Sequence, residues 1–196
     1  MVAESESEPG PRSTSPARRS DPGRRDRIID VALDVVAERG VAGTTHRAIA
    51  AAADIPLGSM TYHFEGMDDL LAVAFTRLAN RIADRFEARL AEARDEAEAV
   101  QAVVDLITVD LAESPADIVL TYELYTLAAR RPALRSVTQG WMARSRVALE
   151  RHFDAATARY LDATIEGIAI HRALDPVPMG VSDVLEAVTR ITRRNP

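Results

Sequence analysis

The chain has 196 residues, 47% of them hydrophobic but only 5% aromatic, with no cysteine and a net charge of −6. That length suits one sizeable domain or two small ones, and the abundance of Ala, Leu, Arg and Glu favours an all-α fold. The missing cysteine excludes disulfide scaffolds, thiol nucleophiles and Cys-ligated metal centres, no apolar run nears the roughly 20 residues that span a bilayer, and the acidic balance argues against a bulk polyanion binder. The expectation is a soluble, cytoplasmic protein held by packing alone, with no metal, no cofactor and no membrane contact.

Charge is nevertheless uneven along the chain. Between Gly10 and Arg27 stand six arginines against Asp21 and Asp26. Residues 1–23 are Ser, Pro, Gly, Glu and Arg with almost nothing to bury, so they read as a disordered arginine-rich arm. From Arg24 the pattern changes. Ile28, Ile29, Ala32, Leu33, Val35 and Val36 recur at three- and four-residue spacing opposite Asp30, Asp34 and Glu38, which predicts a helix that stops at Gly40, a residue able to take the left-handed C-cap conformation.

Thr44 or Thr45 can cap a short second helix that buries Ala48, Ile49 and Ala52. After a turn at Asp54, Pro56 suits a first helical turn because its missing N–H would have no partner there. The segment IPLGSMTYHF (55–64) therefore reads as the start of a third helix. A long amphipathic pattern runs from Met67 to about Ala97. Further helices follow at about 98–113, 115–130, 133–153, 155–174 and 181–193, punctuated by Ser114–Pro115, Arg131–Pro132 and the DPVPMG turn at 175–180. About nine helices result, divided into the arm (1–23), a three-helix unit (24–66) and a larger helical domain (67–196).

Two short helices joined by a tight turn describe a helix-turn-helix whose second helix can enter a DNA major groove. The residues GTTHRAIAAAADIPLGSMTYHFEGMDDLL (43–71) resemble the DNA-binding signature of TetR-type transcriptional regulators, with matches at Thr44, Thr45, Ile49, Ala50, Ile55, Gly58, Met60, Tyr62, His63, Phe64, Leu70 and Leu71. The resemblance implies a helix-turn-helix head followed by a helical ligand-binding and dimerisation domain. Asp54, Pro56 and Met67 depart from the family pattern, which usually has Gly, Ser or Thr, and Lys there. The last two departures imply weaker phosphate anchoring, which the basic arm could offset.

Elementary chemistry gives the matching positions roles. Gly58 and Ser59 let the helix backbone approach the groove, and the Ser59 and Thr61 hydroxyls can bond to bases or phosphates. Tyr62 and His63 can reach phosphate oxygens. Phe64 should turn inward to Ile28, Leu33 and Ile49, and Met60 should be core. Arg47 is the candidate for a bidentate bond to a guanine edge, and Thr45 for a phosphate contact at a helix N-terminus.

In residues 67–196 the candidates to line a small-molecule cavity are Phe75, Leu78, Ile107, Leu111, Tyr122, Tyr125, Thr126, Trp141, Met142 and Ser145, with Glu123, Gln139 and His171 as further polar groups. No charge cluster calls for a strongly charged ligand, so the effector expected is lipophilic or aromatic. Small residues at 156–174, with Ala163, Gly167 and Ile170, together with Val184, Leu185 and Val188, resemble the family's dimerising pair. A two-fold homodimer would read a palindromic operator in double-stranded DNA, most simply as a repressor released by its effector. Two rival readings are a helical interaction protein that has lost DNA affinity, and a helical enzyme using His152, Asp154, His171 and Asp175.

Overall fold

A computed structural model describes residues 22–193; apart from Pro22 and Gly23, the arm expected over 1–23 lies outside the described residues. Among these residues there are nine α-helices and no strand: α1 (Arg24–Gly43), α2 (His46–Ala52), α3 (Gly58–His63), α4 (Met67–Glu92), α5 (Glu96–Asp105), α6 (Pro115–Arg130), α7 (Arg135–Leu149), α8 (Ala155–Leu174) and α9 (Val181–Thr192). A π-helical turn, Leu106–Asp110, prolongs α5, and a 3-10 turn, Pro132–Leu134, leads into α7.

Helix α1 buries the six apolar residues that its periodicity singles out. It does not end at Gly40. The chain bends there, with φ 67° and ψ 168°, and a last helical turn resumes to Gly43. These angles lie in a region open essentially to glycine alone. Beyond the bend, the Thr44 hydroxyl donates to the Gly40 carbonyl at 2.8 Å, and Thr45 caps α2 by accepting from the Ala48 N–H at 3.1 Å.

The long helix α4 ends at Glu92, five residues before the expected limit. AEARDEAEA is made of good helix formers apart from Asp95, so periodicity runs through it. The break is set by Asp95, which turns extended and caps α5 by accepting from the Glu98 N–H at 2.9 Å, with Glu96 and Glu98 placed favourably in that first turn. Similarly α7 stops at Leu149 instead of 153, and Asp154 caps α8 through the Ala156 and Thr157 N–H groups, both at 3.0 Å.

Two apolar clusters form the interior. The first joins α1, α2 and α3 to the N-terminal half of α4 and to Leu120, Leu124 and Leu127 of α6. The second gathers Phe86 and Leu90 of α4 with α5, the end of α7, α8 and α9. Phe75 and Leu78 are fully buried in the first cluster and Ile107 in the second. Val184 and Val188 are fully buried as well, because the apolar stripe of α9 packs on α5 and α8 of its own chain. They are core residues, not exposed interface positions.

Arginines on α4 fix the helix crossings. Arg77 bonds Asp30 of α1 at 2.8 Å and also pairs with Asp26. Arg81 and Arg85 share Asp117 of α6, the latter at 2.9 Å, and Asp117 is only 5% exposed. Arg144 of α7 holds Glu87 at 2.7 Å and Asp84 at 2.6 Å, and this guanidinium pulls the Glu87 carboxyl below its usual range. The exposed pairs among these, such as Arg77 with Asp26 and Asp30, contribute about 0–1 kcal/mol each, less than the roughly 1.5–3 kcal/mol of one buried Leu or Phe. Burial therefore supplies the stability and the ion pairs set alignment.

A Cβ added at Gly40 would lie 2.9 Å from Glu123 Oε1, whereas one at Gly58 meets nothing within 4 Å. Gly40→Ala is expected to lower stability by about 1–3 kcal/mol, read as a lower urea midpoint. Gly58→Ala should stay within about 0.5 kcal/mol of the parent.

Candidate functional site

The turn between α2 and α3 is tight because Asp54 adopts φ 51°, a conformation that Asp tolerates better than most residues. Pro56 does not open α3. It stands two residues upstream, and its carbonyl accepts from the Ser59 N–H at 2.9 Å while that of Leu57 accepts from Met60 at 3.1 Å. A single i→i+3 turn thus precedes a six-residue helix, about 9 Å long. Because Asp54 sets the turn's direction, the proline serves as the approach to the helix.

Helix α3 divides sharply. Met60 and Phe64 are buried among the residues of α1 and α2, and the Arg25 guanidinium lies 5.2 Å over the Phe64 ring. On the other side Gly58, Thr61 and Tyr62 are exposed, Ser59 and His63 half-buried. Tyr62 is 84% exposed, and its ring stands edge-to-face with that of His63, the centroids 4.9 Å apart. Arg47 and Thr45 of α2 are exposed. Thr61 Oγ1 donates to the Gly58 carbonyl at 3.2 Å, which leaves its oxygen lone pairs to face outward. Met67 packs against the head's core, an apolar use of a position where a lysine would point to solvent.

A cavity lies between α4, α6, α7 and α8. Of the expected lining residues it collects Leu111, Tyr122, Tyr125, Trp141, Met142 and Ser145. Phe75, Leu78 and Ile107 are committed to the core, and Thr126 is exposed. The polar groups also sort differently: Gln139 and His171 face solvent, while Glu123 turns away to α1, where Oε2 accepts from the Val41 N–H at 3.1 Å. The rings of Tyr125 and Trp141 stack with centroids 5.9 Å apart and 13° between planes.

Asp162 and Glu166 of α8 enter this cavity, whereas the small residues of that helix point to dimer contact and its expected polar group is His171. Two acids one turn apart, interleaved with Leu161, Ile165, Ile168 and Ala169, were the available signal. Burial raises both carboxyls above the usual range; the Tyr125 hydroxyl and the Asp162 charge act on Glu166 in opposite directions, while Ser145 and Arg146, the latter at 3.5 Å, partly offset the shift at Asp162. Burial likewise pushes the Tyr122 and Tyr125 hydroxyls up. The Tyr125 hydroxyl faces Glu166 without reaching hydrogen-bond geometry, and that of Tyr122 has no partner. The cavity therefore holds aromatic faces, unused hydroxyls and a carboxyl with no guanidinium beside it among the described residues. It offers only about 50 Å³ of space open to a water molecule.

Along α8, α9 and the turn between them, Ala163, Ile170, Leu174, Val177, Val181 and Leu185 are exposed and Gly167 half-buried. His152 Nε2 lies 2.9 Å from the Leu90 carbonyl and Asp154 caps α8, so both have structural partners.

Residues 28–74 match the family model for bacterial regulatory proteins of the tetR family, and residues 94–194 that for the tetracyclin repressor-like C-terminal domain. The HTH-type transcriptional regulator CymR of Pseudomonas putida is 32% identical over 142 residues, 69% of this chain and 68% of CymR. The crystal structure of SCO7518 from Streptomyces coelicolor A3(2) superposes with a TM-score of 0.84 at 53% identity, covering 88% of this chain and 100% of that one. The multidrug binding protein EbrR, complexed with ethidium, superposes with a TM-score of 0.77 at 38% identity over 87% of this chain and 99% of its own. With the head, the helical body and the signature of α2 and α3 all matched, the chain belongs to the TetR family of transcriptional regulators.

Proposed function

We propose that the protein is a cytoplasmic homodimeric repressor that reads a palindromic operator with the α2–α3 unit of each copy and is released by a lipophilic organic cation in the cavity. The observation that carries the DNA-reading part is the division of α3. A tyrosine left 84% exposed on the same two-helix unit as exposed Arg47, Thr45 and Gly58 serves no packing purpose and suits a groove and its phosphates. The exposed apolar strip on α8 and α9, including Ile170 and Leu185, supports a second copy as its cover.

The effector class rests on the cavity's chemistry. Aromatic faces attract cations, and an unpaired buried carboxyl becomes stable in its charged form once a cation sits beside it. EbrR, crystallised with ethidium, malachite green and proflavin, supports the same class. Proton balance fixes the pH behaviour. Burial in the empty cavity raises the Glu166 carboxyl and a bound cation lowers it again, so binding releases a proton only at pH values between those two limits.

Three outcomes test this reading. A duplex carrying the gene's own upstream region should bind in fluorescence anisotropy, weakening with salt; Arg47→Ala should cost about 10- to 100-fold and Tyr62→Phe about 2- to 10-fold. No binding by the parent at low salt would sink the regulator. Ethidium should quench Trp141, the single tryptophan, with affinity rising up to about tenfold per pH unit from the ordinary carboxylate range to the raised value of Glu166, then levelling. Glu166→Gln should flatten that slope and weaken binding at pH 8 by at least about tenfold; an unchanged slope would remove Glu166 from the site.

A further inference from the structure

Helix α6 carries different work on two sides. Tyr122 and Tyr125 line the cavity, while Glu123, about 100° round the helix from Tyr122, reaches the bend of α1. There its Oε2 accepts from the Val41 N–H at 3.1 Å across 82 residues of sequence. Its Oε1 occupies space that any Cβ at position 40 would need, 2.9 Å away. The bent backbone requires glycine at residue 40, and a Cβ there would also push the carboxylate aside.

The bond is placed at the corner that aims the DNA-reading unit. Val41 accepts from the Thr44 N–H at 3.2 Å, the Thr44 hydroxyl returns to Gly40 at 2.8 Å, and Thr45 caps α2. Five consecutive residues thus connect the Glu123 carboxylate to the start of α2. At the other end of α1, Arg77 of α4 holds Asp26 and Asp30, so the two ends of α1 answer to different helices of the body.

The size of the cavity makes this connection consequential. Sites for drug-sized ligands measure roughly 300–1,000 Å³, and the space here is about 50 Å³. A planar aromatic ligand can enter only by moving the walls, and a close-packed interior passes such a displacement on as a shift of whole elements. An N–H···O contact at 3.1 Å is lost once the atoms are about 0.5 Å further apart. A small outward movement of α6 is enough to break it.

We infer that Glu123 is the positioning residue that couples the cavity to the DNA-reading head: it latches the α1 corner while the cavity is empty and releases it when α6 is displaced. The inference rests on the reading of the cavity as the effector site. It has a linked consequence, since a contact present only in the DNA-competent state favours operator binding and opposes effector binding through one shift of the same equilibrium.

Glu123→Ala and Glu123→Gln are compared with the parent in three measurements: ethidium titration by Trp141 quenching, operator affinity with and without saturating ethidium, and hydrogen exchange of the Val41 amide. In Glu123→Ala, ethidium should bind about tenfold more tightly and operator about tenfold more weakly, while the ratio of operator affinities without and with dye falls by a similar factor. Exchange at Val41 should quicken. Glu123→Gln keeps a carbonyl acceptor and should stay within about threefold of the parent. Parental affinities in Glu123→Ala, weakening of both ligands together, or a Gln variant that behaves like Ala would each overturn the latch. If the parent binds no operator, the regulator reading fails and the dye and exchange measurements still decide the latch. If the parent binds no ethidium, the cation reading fails and exchange alone decides it, an unchanged Val41 rate overturning the latch.

Discussion

The architecture depends on α6 being shared. Leu120, Leu124 and Leu127 sit in the apolar cluster that holds α1 to α4, while Thr121, Tyr122 and Tyr125 face the cavity. Its start is pinned to α4 through a buried aspartate, Asp117, held by two arginines. A buried carboxylate is costly unless its partners are in place, so α4 and α6 have little freedom to slide past one another at that end. The other elements are arranged around this crossing: the head on one side, and α7 and α8 closing the cavity on the other.

Within the head, six residues of α3 do what a longer helix usually does. Burying Met60 and Phe64 anchors it against Ile28, Ile29 and Ile49, and that leaves the opposite side free of any structural duty. The exposure of Tyr62 is then affordable because the anchoring residues are enough to hold so short a segment. The departures at Pro56 and Met67 fit the same economy of contacts, since one shapes the turn before α3 and the other adds to the core.

The cavity shows the opposite balance. Placing Asp162 and Glu166 among aromatic and aliphatic walls disfavors their charged forms and works against the stability of the empty protein as pH rises through the range in which they ionise. Core packing alone would have used Leu or Met there. Polar groups that weaken the fold and sit in a cavity point to a ligand that satisfies them.

The sequence by itself determined the helical class, most of the helix limits, the cap available at Thr45, and the surface of α3, because each depends on local spacing: apolar residues every three or four positions, a glycine or proline at a boundary, a turn of fixed length. It also made Leu111, Tyr122, Tyr125, Trp141, Met142 and Ser145 candidates for one cavity. Only the tertiary structure decided that Phe75, Leu78, Ile107, Val184 and Val188 are core, that Asp162 and Glu166 face inward, and that Glu123 reaches Val41. Those outcomes depend on which side of each helix meets which neighbour. Helical periodicity shows that a side is apolar, but the partner that covers it is set by packing between segments as far apart as the 82 residues that separate Val41 from Glu123.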